Sequence, residues 1–171
     1  MPAAPTNWDD SWFGRLTAKH KAVFDSPQIE DGLAIANAAG YIRGMHDAIN
    51  AAENDVQTVI VLRHVAVVML FNDAMWEKYG IAAEYKVANA EKRNPWSGEM
   101  ATLKGRGATL IACNLAATRR AREFATRLNL NADDVKKDLY ANFVPGVIVQ
   151  TSGVFATIRA QQAGCAFMKS G

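Results

Sequence analysis

The sequence predicts an α/β fold in which a mostly parallel sheet of about five strands carries helices on both faces. Short apolar runs rich in β-branched residues alternate along the chain with longer segments whose apolar residues recur at helical spacing. Such alternation is typical of parallel sheets joined by right-handed helical crossovers. The 171 residues are enough for one domain of this kind with a substantial core.

An aromatic segment precedes the first predicted strand. We expect residues 1–18 to form an N-terminal arm and residues 19–171 to form the single domain. The arm carries Trp8, Trp12 and Phe13 among polar neighbours. These aromatic side chains favour an arm that lies over the domain or over a neighbouring subunit, because a disordered end is usually polar.

The first strand and helix occupy residues 21–51. Lys21–Asp25 reads as a strand that stops at Ser26-Pro27, and apolar residues recur at helical spacing from Asp31 to about Ala51. Gly40 and Gly44 lie one turn apart in this helix. Their spacing predicts close packing against the sheet.

A second strand and helix are expected over residues 57–80. The continuous apolar run 57–62 is typical of a strand buried on both faces. A helix is predicted from Val67 to Tyr79, ending at Gly80. Residues 81–103 lack clear periodicity and predict a lid, a binding loop or an interface, with a short helix starting at Ser97 or Gly98.

The remaining predicted elements follow the short apolar run Thr109–Ala112. This run reads as a buried strand that stops at Cys113, with Asn114 as the cap of a helix over 115–128. Further along the chain we expect a polar connection with a helical turn at 133–139, a strand at 147–151, a helix at 154–163 and a final strand at 165–168.

The predicted position of Cys113 has a chemical consequence. A thiol between the carboxyl end of a strand and the amino terminus of a helix faces unpaired N–H groups and the positive end of the helix dipole, which favour thiolate. Cys113 is therefore a candidate nucleophile or sulfur carrier. An equally compatible interpretation is a small hydrophobic residue that fills the end of a strand.

Reactive side chains follow four of the predicted strands. In parallel sheets ligands bind beyond the carboxyl ends of the strands, which meet at one edge. We therefore expect a carboxylate, a cation, an imidazole and a thiol to share that edge, contributed by Asp25 and Ser26, Arg63 and His64, Cys113 and Asn114, and Thr151 and Ser152. His64 could hold the thiolate or move its proton, or it could be a structural histidine.

Charge and composition bear on partners and location. A net charge of +2 does not indicate nucleic-acid binding, and Arg119, Arg120 and Arg122 lie beside Glu123 as expected for a solvated helix face. No apolar run approaches the roughly 20 residues of a membrane span. Met1–Asn7 lacks the regions of a signal peptide, so the sequence predicts a cytoplasmic protein; a periplasmic location stays open if an export signal has been removed.

Other motifs indicate neither a metal nor a cofactor. Cys113 and Cys165 have no short spacing, and the three histidines form no zinc-ligand pattern. There is no dinucleotide fingerprint, Walker loop or GxSxG motif. Cys165, in a short terminal strand after Gly164, is expected to be a core residue.

Two segments carry a family resemblance. The context Leu110-Ile111-Ala112-Cys113-Asn114-Leu115-Ala116 and the ending from Val144-Pro145-Gly146 to Gln161-Gln162-Ala163-Gly164-Cys165-Ala166-Phe167 resemble the DsrE/DsrF-like sulfur-relay family, from about Lys19 to the C-terminus. The block Val61-Leu62-Arg63-His64 resembles a little-characterised branch of it. The resemblance implies a three-layer α/β sandwich, assembly into trimers or hexamers, and a persulfide-carrying cysteine at Cys113.

These observations lead to two hypotheses. In the first, the protein is a sulfur carrier or sulfurtransferase. Its catalytic residues are Cys113 and His64, and its partner is a sulfur donor or acceptor protein or a small thiol. In the second, it is a non-catalytic oligomer that binds a small anion, metal or cofactor. This second hypothesis uses the strand-end pocket around Arg63 and His64. The ligand-binding residues expected at the site are Arg63, Asn114, Asp25 and Ser152.

Overall fold

The structure, a computed structural model, describes residues 8–90 and 92–171. Its centre is an all-parallel five-stranded sheet with the order β4-β3-β2-β1-β5. The strands are β1 (His20–Ser26), β2 (Val56–Leu62), β3 (Thr109–Cys113), β4 (Ile148–Gln150) and β5 (Ala166–Lys169). The predicted α/β class is confirmed.

Helices cover both faces of this sheet and make a three-layer sandwich. They are α1 (Leu33–Ile49), α2 (Asp73–Lys78), α3 (Ile81–Glu84), α4 (Ser97–Gly105), α5 (Asn114–Leu128), α6 (Ala132–Ala141) and α7 (Gly153–Gln162). The larger core lies between one face of the sheet and the layer containing α1, α4 and α5. A smaller core lies between the other face and α7.

Strand β2 lies at the centre of the sheet and contributes to both cores. Val59 and Val61 face the smaller core, whereas Ile60 and Leu62 face the larger one. All four side chains are fully buried. The prediction that this strand is buried on both faces is therefore confirmed, as its uninterrupted apolar sequence indicated.

The described part of the arm, residues 8–18, lies over the domain's own sheet. Trp12 is fully buried in the smaller core, where Ala156 and Ala160 of α7 also pack. Gln150 donates a hydrogen bond of 2.6 Å to the carbonyl oxygen of Asp9. The arm thereby completes the cover of a face on which α7 is the main helix. Residues 1–7 of the predicted arm lie outside the described residues.

The predicted helix from Val67 to Tyr79 is wrong because the chain breaks near Asn72. A 3₁₀ helix spans His64–Leu70, and α2 begins only at Asp73. The Asn72 side chain caps α2 by accepting from the Met75 N–H, while its own N–H donates to the carbonyl of Asn142. These contacts outweigh a helical pattern whose apolar residues are buried all round.

The segment expected to be a lid or binding loop is tied into the core over its described part. Asn94 is 2% exposed and donates from Nδ2 to the carbonyls of Met69 (2.5 Å) and Phe71 (2.8 Å). Its Oδ1 accepts from the Trp96 N–H at 3.0 Å. The predicted short helix is present as α4, which starts at Ser97.

We expect Asn94→Ala to lower the free energy of unfolding by about 2–3 kcal/mol, because it leaves two buried carbonyls and one N–H without partners. The exposed Gln161, which makes no side-chain hydrogen bond with a described residue, offers the control Gln161→Ala, expected to change stability by less than about 0.5 kcal/mol. Urea unfolding measures both variants. If the two variants were equally stable, the hydrogen bonds of Asn94 would not be what holds the segment 81–103 against the core.

Three further predictions about helices are wrong. Gly40 and Gly44 are exposed, and an added Cβ at either would meet no atom within 4 Å, so they do not pack on the sheet. The cap of α5 is Cys113, and Asn114 is its first helical residue. Arg120 is 6% exposed and donates to the Tyr85 hydroxyl (3.2 Å), because it faces the segment after α3 instead of solvent.

The rest of the second half is more helical than expected. Helix α6 replaces the predicted single turn, because the Asn131 side chain accepts hydrogen bonds from the Asp133 and Asp134 N–H groups and caps it.

None of the described helices combines the length and the apolar character needed to cross a bilayer.

Candidate functional site

The carboxyl ends of β2 and β3 and the chain leaving β4 meet at one edge of the sheet, where a pocket of about 210 Å³ opens. We call it the Cys113 pocket. Four residues expected at this edge line it: Arg63, His64, Cys113 and Ser152. The other lining residues belong to the first turns of two helices, Leu115, Ala116 and Arg119 in α5 and Gly153 and Val154 in α7.

Cys113 lies at the amino terminus of α5. It is the last residue of β3 and the N-cap of a 15-residue helix, and it is 6% exposed. The first N–H groups of a helix have no partner within the helix, and the dipole adds positive potential there. The end of β3 thus places Cys113 beside the unpaired N–H groups at the start of α5.

Arg63 is held in place by an ion pair with Asp25. Its Nε and Nη2 donate to the two carboxylate oxygens at 2.8 and 2.9 Å, and only 8% of the Asp25 side chain is exposed. This hydrogen-bonded pairing raises the pKa of Arg63, and the charge of a Cys113 thiolate adds a smaller contribution in the same direction. Asp25 itself does not line the pocket; it positions the cation that does.

The start of α7 packs closely on Arg63. A Cβ added at Gly153 would lie 2.8 Å from Cβ and 2.9 Å from Cδ of Arg63, so only glycine leaves this space open. The preceding residue, Ser152, caps α7 by accepting from the Phe155 N–H at 3.1 Å. The amino termini of α5 and α7 therefore both border the pocket, beside a fixed guanidinium.

His64 lies at the mouth of the pocket. It is exposed and adopts a left-handed backbone conformation, with φ of 47°. Within residues 8–90 and 92–171, no hydrogen bond joins its ring to Cys113. The structure therefore brings His64 into the lining of the pocket that contains the thiol, without a preformed Cys–His hydrogen bond.

Asn114 is directed away from the pocket. Its Oδ1 accepts a hydrogen bond from the hydroxyl of Tyr140 in α6, and it is not a lining residue. Burial raises the pKa of Tyr140, and the negative charge of a Cys113 thiolate raises it further. Asn114 thus joins α5 to α6, and the structure does not bring it to the lining of the pocket.

Five lining residues were not predicted from the sequence, and two of them, Arg119 and Gly153, determine the charge and the space in the pocket. Arg119 lies on the same face of α5 as Leu115, four residues earlier, so helical periodicity from Cys113 could have identified it. Its Nε pairs with Glu123 at 3.0 Å, which leaves its terminal nitrogens available. Gly153 carries no sequence signal, because its role depends on the side chain of Arg63.

The second thiol, Cys165, lies in the smaller core and not in the pocket. Burial raises its pKa to about 11, although Lys21 opposes the shift. At neutral pH Cys165 is therefore a thiol and a poor nucleophile, as expected of a core residue.

We expect iodoacetamide at pH 8 to alkylate Cys113 at least about tenfold faster than Cys165, because burial raises the pKa of Cys165 to about 11 and leaves little of it as thiolate, whereas Cys113 lines a pocket that the reagent can enter. Peptide mapping by mass spectrometry over time measures the two rates. Raising the pH toward 11 should increase the Cys165 rate selectively. Faster modification of Cys165 at pH 8 would contradict this assignment of the two thiols.

The same shift predicts a loss of stability in alkali. An unfolded cysteine ionises near pH 9.0, whereas folded Cys165 stays protonated up to about pH 11. Protons are therefore bound more tightly by the folded state, and stability should fall as the pH rises from 9 to 11. Thermal unfolding of Cys165→Ala across this range should show a smaller decline than the natural sequence; parallel declines would contradict the assignment.

The described residues contain no group of three or more His, Cys, Asp or Glu side chains that could hold a metal ion. The pocket offers a thiol, two guanidinium groups and two helix amino termini, and none of its described lining residues carries a carboxylate. This arrangement can bind an anion and present it to a sulfur nucleophile.

Comparison with known proteins shows the fold alone. No family model matches the sequence, and no curated protein is significantly similar to it. The structure is similar to that of MTH1491, a protein of unknown function from Methanobacterium thermoautotrophicum, with a TM-score of 0.53 and 18% sequence identity. The similarity covers 88% of this chain and 98% of MTH1491.

Proposed function

We propose that the protein is a sulfur carrier that holds sulfane sulfur as a persulfide on Cys113. The observation that carries this proposal is the position of Cys113, which caps α5 and lines a pocket that also contains Arg63 and His64. The resemblance of the Cys113 context to the DsrE/DsrF-like family supports it independently.

The proposed loading step is a sulfur transfer to the Cys113 thiolate. The thiolate attacks the terminal sulfur of a donor persulfide R–S–SH, the bond between the two donor sulfurs breaks, and R–S⁻ leaves with the electron pair. The product is Cys113–S–SH. A second thiolate reverses the same chemistry when it accepts the sulfur, so no external oxidant or reductant is needed.

The neighbouring groups have defined roles in this proposal. The amino terminus of α5 and the guanidinium of Arg63 stabilise the negative charge on Cys113 and on its persulfide. Arg119 and the amino terminus of α7 attract an anionic donor. His64, at the mouth of the pocket, is placed to give a proton to the leaving thiolate.

Intact-mass spectrometry after incubation with thiosulfate, polysulfide or glutathione persulfide tests the proposal. We expect one sulfur atom to be added by at least one donor and removed by dithiothreitol. A protein whose mass is unchanged with every donor would contradict the proposal. The donor that loads fastest would identify the class of partner, either a small thiol or a protein that carries a persulfide.

A second candidate function is binding of a small anion without covalent chemistry. The geometry around Arg63 favours it, because Asp25 and Gly153 fix the guanidinium beside two helix amino termini whether or not the thiol is present. A sulfonate or phosphate group would be bound by the same N–H groups.

Thermal shift separates the two functions. If anion binding is the function, sulfite or phosphate should raise the melting temperature of the natural sequence and of Cys113→Ser equally. No shift with any anion would contradict this second function.

The family resemblance also supports assembly into trimers or hexamers, which light scattering coupled to gel filtration measures directly.

A further inference from the structure

A larger groove lies at the opposite end of the sheet from Cys113. It has a volume of about 390 Å³ and runs between α4 and the turn at Val144-Pro145 that precedes β4. Leu110, near the amino end of β3, forms part of its floor, whereas Cys113 is the last residue of that strand. We call it the α4 groove.

The floor of the α4 groove belongs to the apolar core. Met100 is 1% exposed, Leu110 2% and Val144 7%, and Ala101 and Pro145 also line the opening. Among residues 8–90 and 92–171, no acidic residue lines the groove. Covering such a surface with apolar groups is favourable, because it removes apolar area from water.

One cation lies at the end of this apolar surface. Lys104 lines the groove and forms no ion pair with any described residue. Its side chain crosses Gly146, where a Cβ would overlap Nζ and Cε of the lysine. Gly146 has φ of 80°, so the turn favours glycine and thereby keeps this path open for the lysine.

The groove is also elongated. Its lining residues on α4 extend from Ser97 to Gly105, which corresponds to about 12 Å along the helix axis. A ligand that satisfies both features must be narrow, apolar over most of its length and negatively charged at one end. An amine would be repelled by Lys104, and a compact dianion would leave the apolar floor uncovered.

We propose that the α4 groove binds the monocarboxylate of a medium-length straight hydrocarbon chain. The carboxylate pairs with Lys104, and the hydrocarbon lies along α4 over Met100 and Leu110. This site is separate from the Cys113 pocket, so the proposal does not depend on sulfur chemistry.

Methyl NMR of protein labelled at its methionine methyl groups tests the proposal with octanoate as the probe. We expect the Met100 resonance to shift on titration. Met168 offers an internal control, because it lines a different apolar groove between α1 and β5. No shift at Met100, or an equal shift at Met168, would overturn the proposal.

Two variants and two analogues test the charge. Lys104→Met should weaken octanoate binding about fivefold or more, as expected for a partly desolvated ion pair. Lys19→Met, at an exposed lysine with no ion pair to a described residue, should leave binding unchanged. Octanol and octylamine should bind more weakly than octanoate. Octanol binding as tightly as octanoate, or full affinity in Lys104→Met, would overturn the role of the cation.

A third variant tests occupancy of the groove. Ala101 is exposed on α4, so Ala101→Phe should fill the opening without disturbing the core. We expect it to abolish the octanoate-dependent shift while circular dichroism and the melting temperature stay unchanged. Undiminished binding in this folded variant would overturn the proposed location.

Discussion

Cys113→Ser is expected to abolish sulfur loading completely, because a serine hydroxyl can occupy the end of β3 but cannot form a persulfide. The substitution exchanges one atom at a residue that is 6% exposed, and we expect it to change the free energy of unfolding by less than about 1 kcal/mol. The measurement is the fraction of protein that gains one sulfur atom under saturating donor.

The matched control is Cys165→Ala. Cys165 lies in the smaller core, and its pKa is raised to about 11, so we expect this variant to load as fully as the natural sequence. Loading retained in Cys113→Ser, or lost in a folded Cys165→Ala, would contradict the assignment of Cys113 as the carrier.

Arg63→Met is expected to lower the free energy of unfolding by about 3 kcal/mol, because it leaves the carboxylate of Asp25 buried without its cation. Only 8% of the Asp25 side chain is exposed, and its other contact is a weak hydrogen bond from Thr157 at 3.4 Å. Chemical unfolding measures the loss. The same variant should slow sulfur loading, because the pocket loses its fixed positive charge.

Two further variants separate the buried charge from the loss of a side chain. Arg43 is exposed and forms no ion pair with a described residue, so Arg43→Met should change stability by less than about 0.5 kcal/mol. Adding Asp25→Asn to Arg63→Met removes the uncompensated charge and should recover about 2 kcal/mol. No recovery would show that the cost of Arg63→Met arises from lost packing.

The layers of the fold follow from local patterns. The run 57–62 can be buried on both faces only in the centre of a covered sheet, and β2 does occupy that position. The alternation of apolar runs with amphipathic segments then requires crossovers, which makes the sheet parallel. Each of these patterns spans only a few consecutive residues, so it can be recognised from the sequence alone.

The errors arise where distant residues decide the local structure. The helix expected from Val67 to Tyr79 breaks because Asn72 bonds to Asn142, 70 residues away, and because Asn94 holds the carbonyls that the break leaves free. Asn114 does not cap α5, because its side chain accepts a hydrogen bond from Tyr140 of α6. No sequence pattern near Asn72 or Asn114 predicts these distant hydrogen-bond partners.

The site was predictable to a similar extent. The rule that strand ends meet at one edge identified Arg63, His64, Cys113 and Ser152, which the structure brings to one pocket. The rule cannot tell which side chains face the opening. Asp25 ends a strand at the same edge but is buried beneath Arg63, and it contributes by positioning that cation.

The most direct test of whether Cys113 carries sulfur is to locate the added sulfur atom in the sequence. Protein treated with a persulfide donor is alkylated, digested and mapped by mass spectrometry, with both cysteine peptides observed. We expect an alkylated persulfide on the Cys113 peptide and no added sulfur on the Cys165 peptide. A persulfide found on Cys165 alone, or on neither peptide, would contradict the claim that Cys113 carries sulfur.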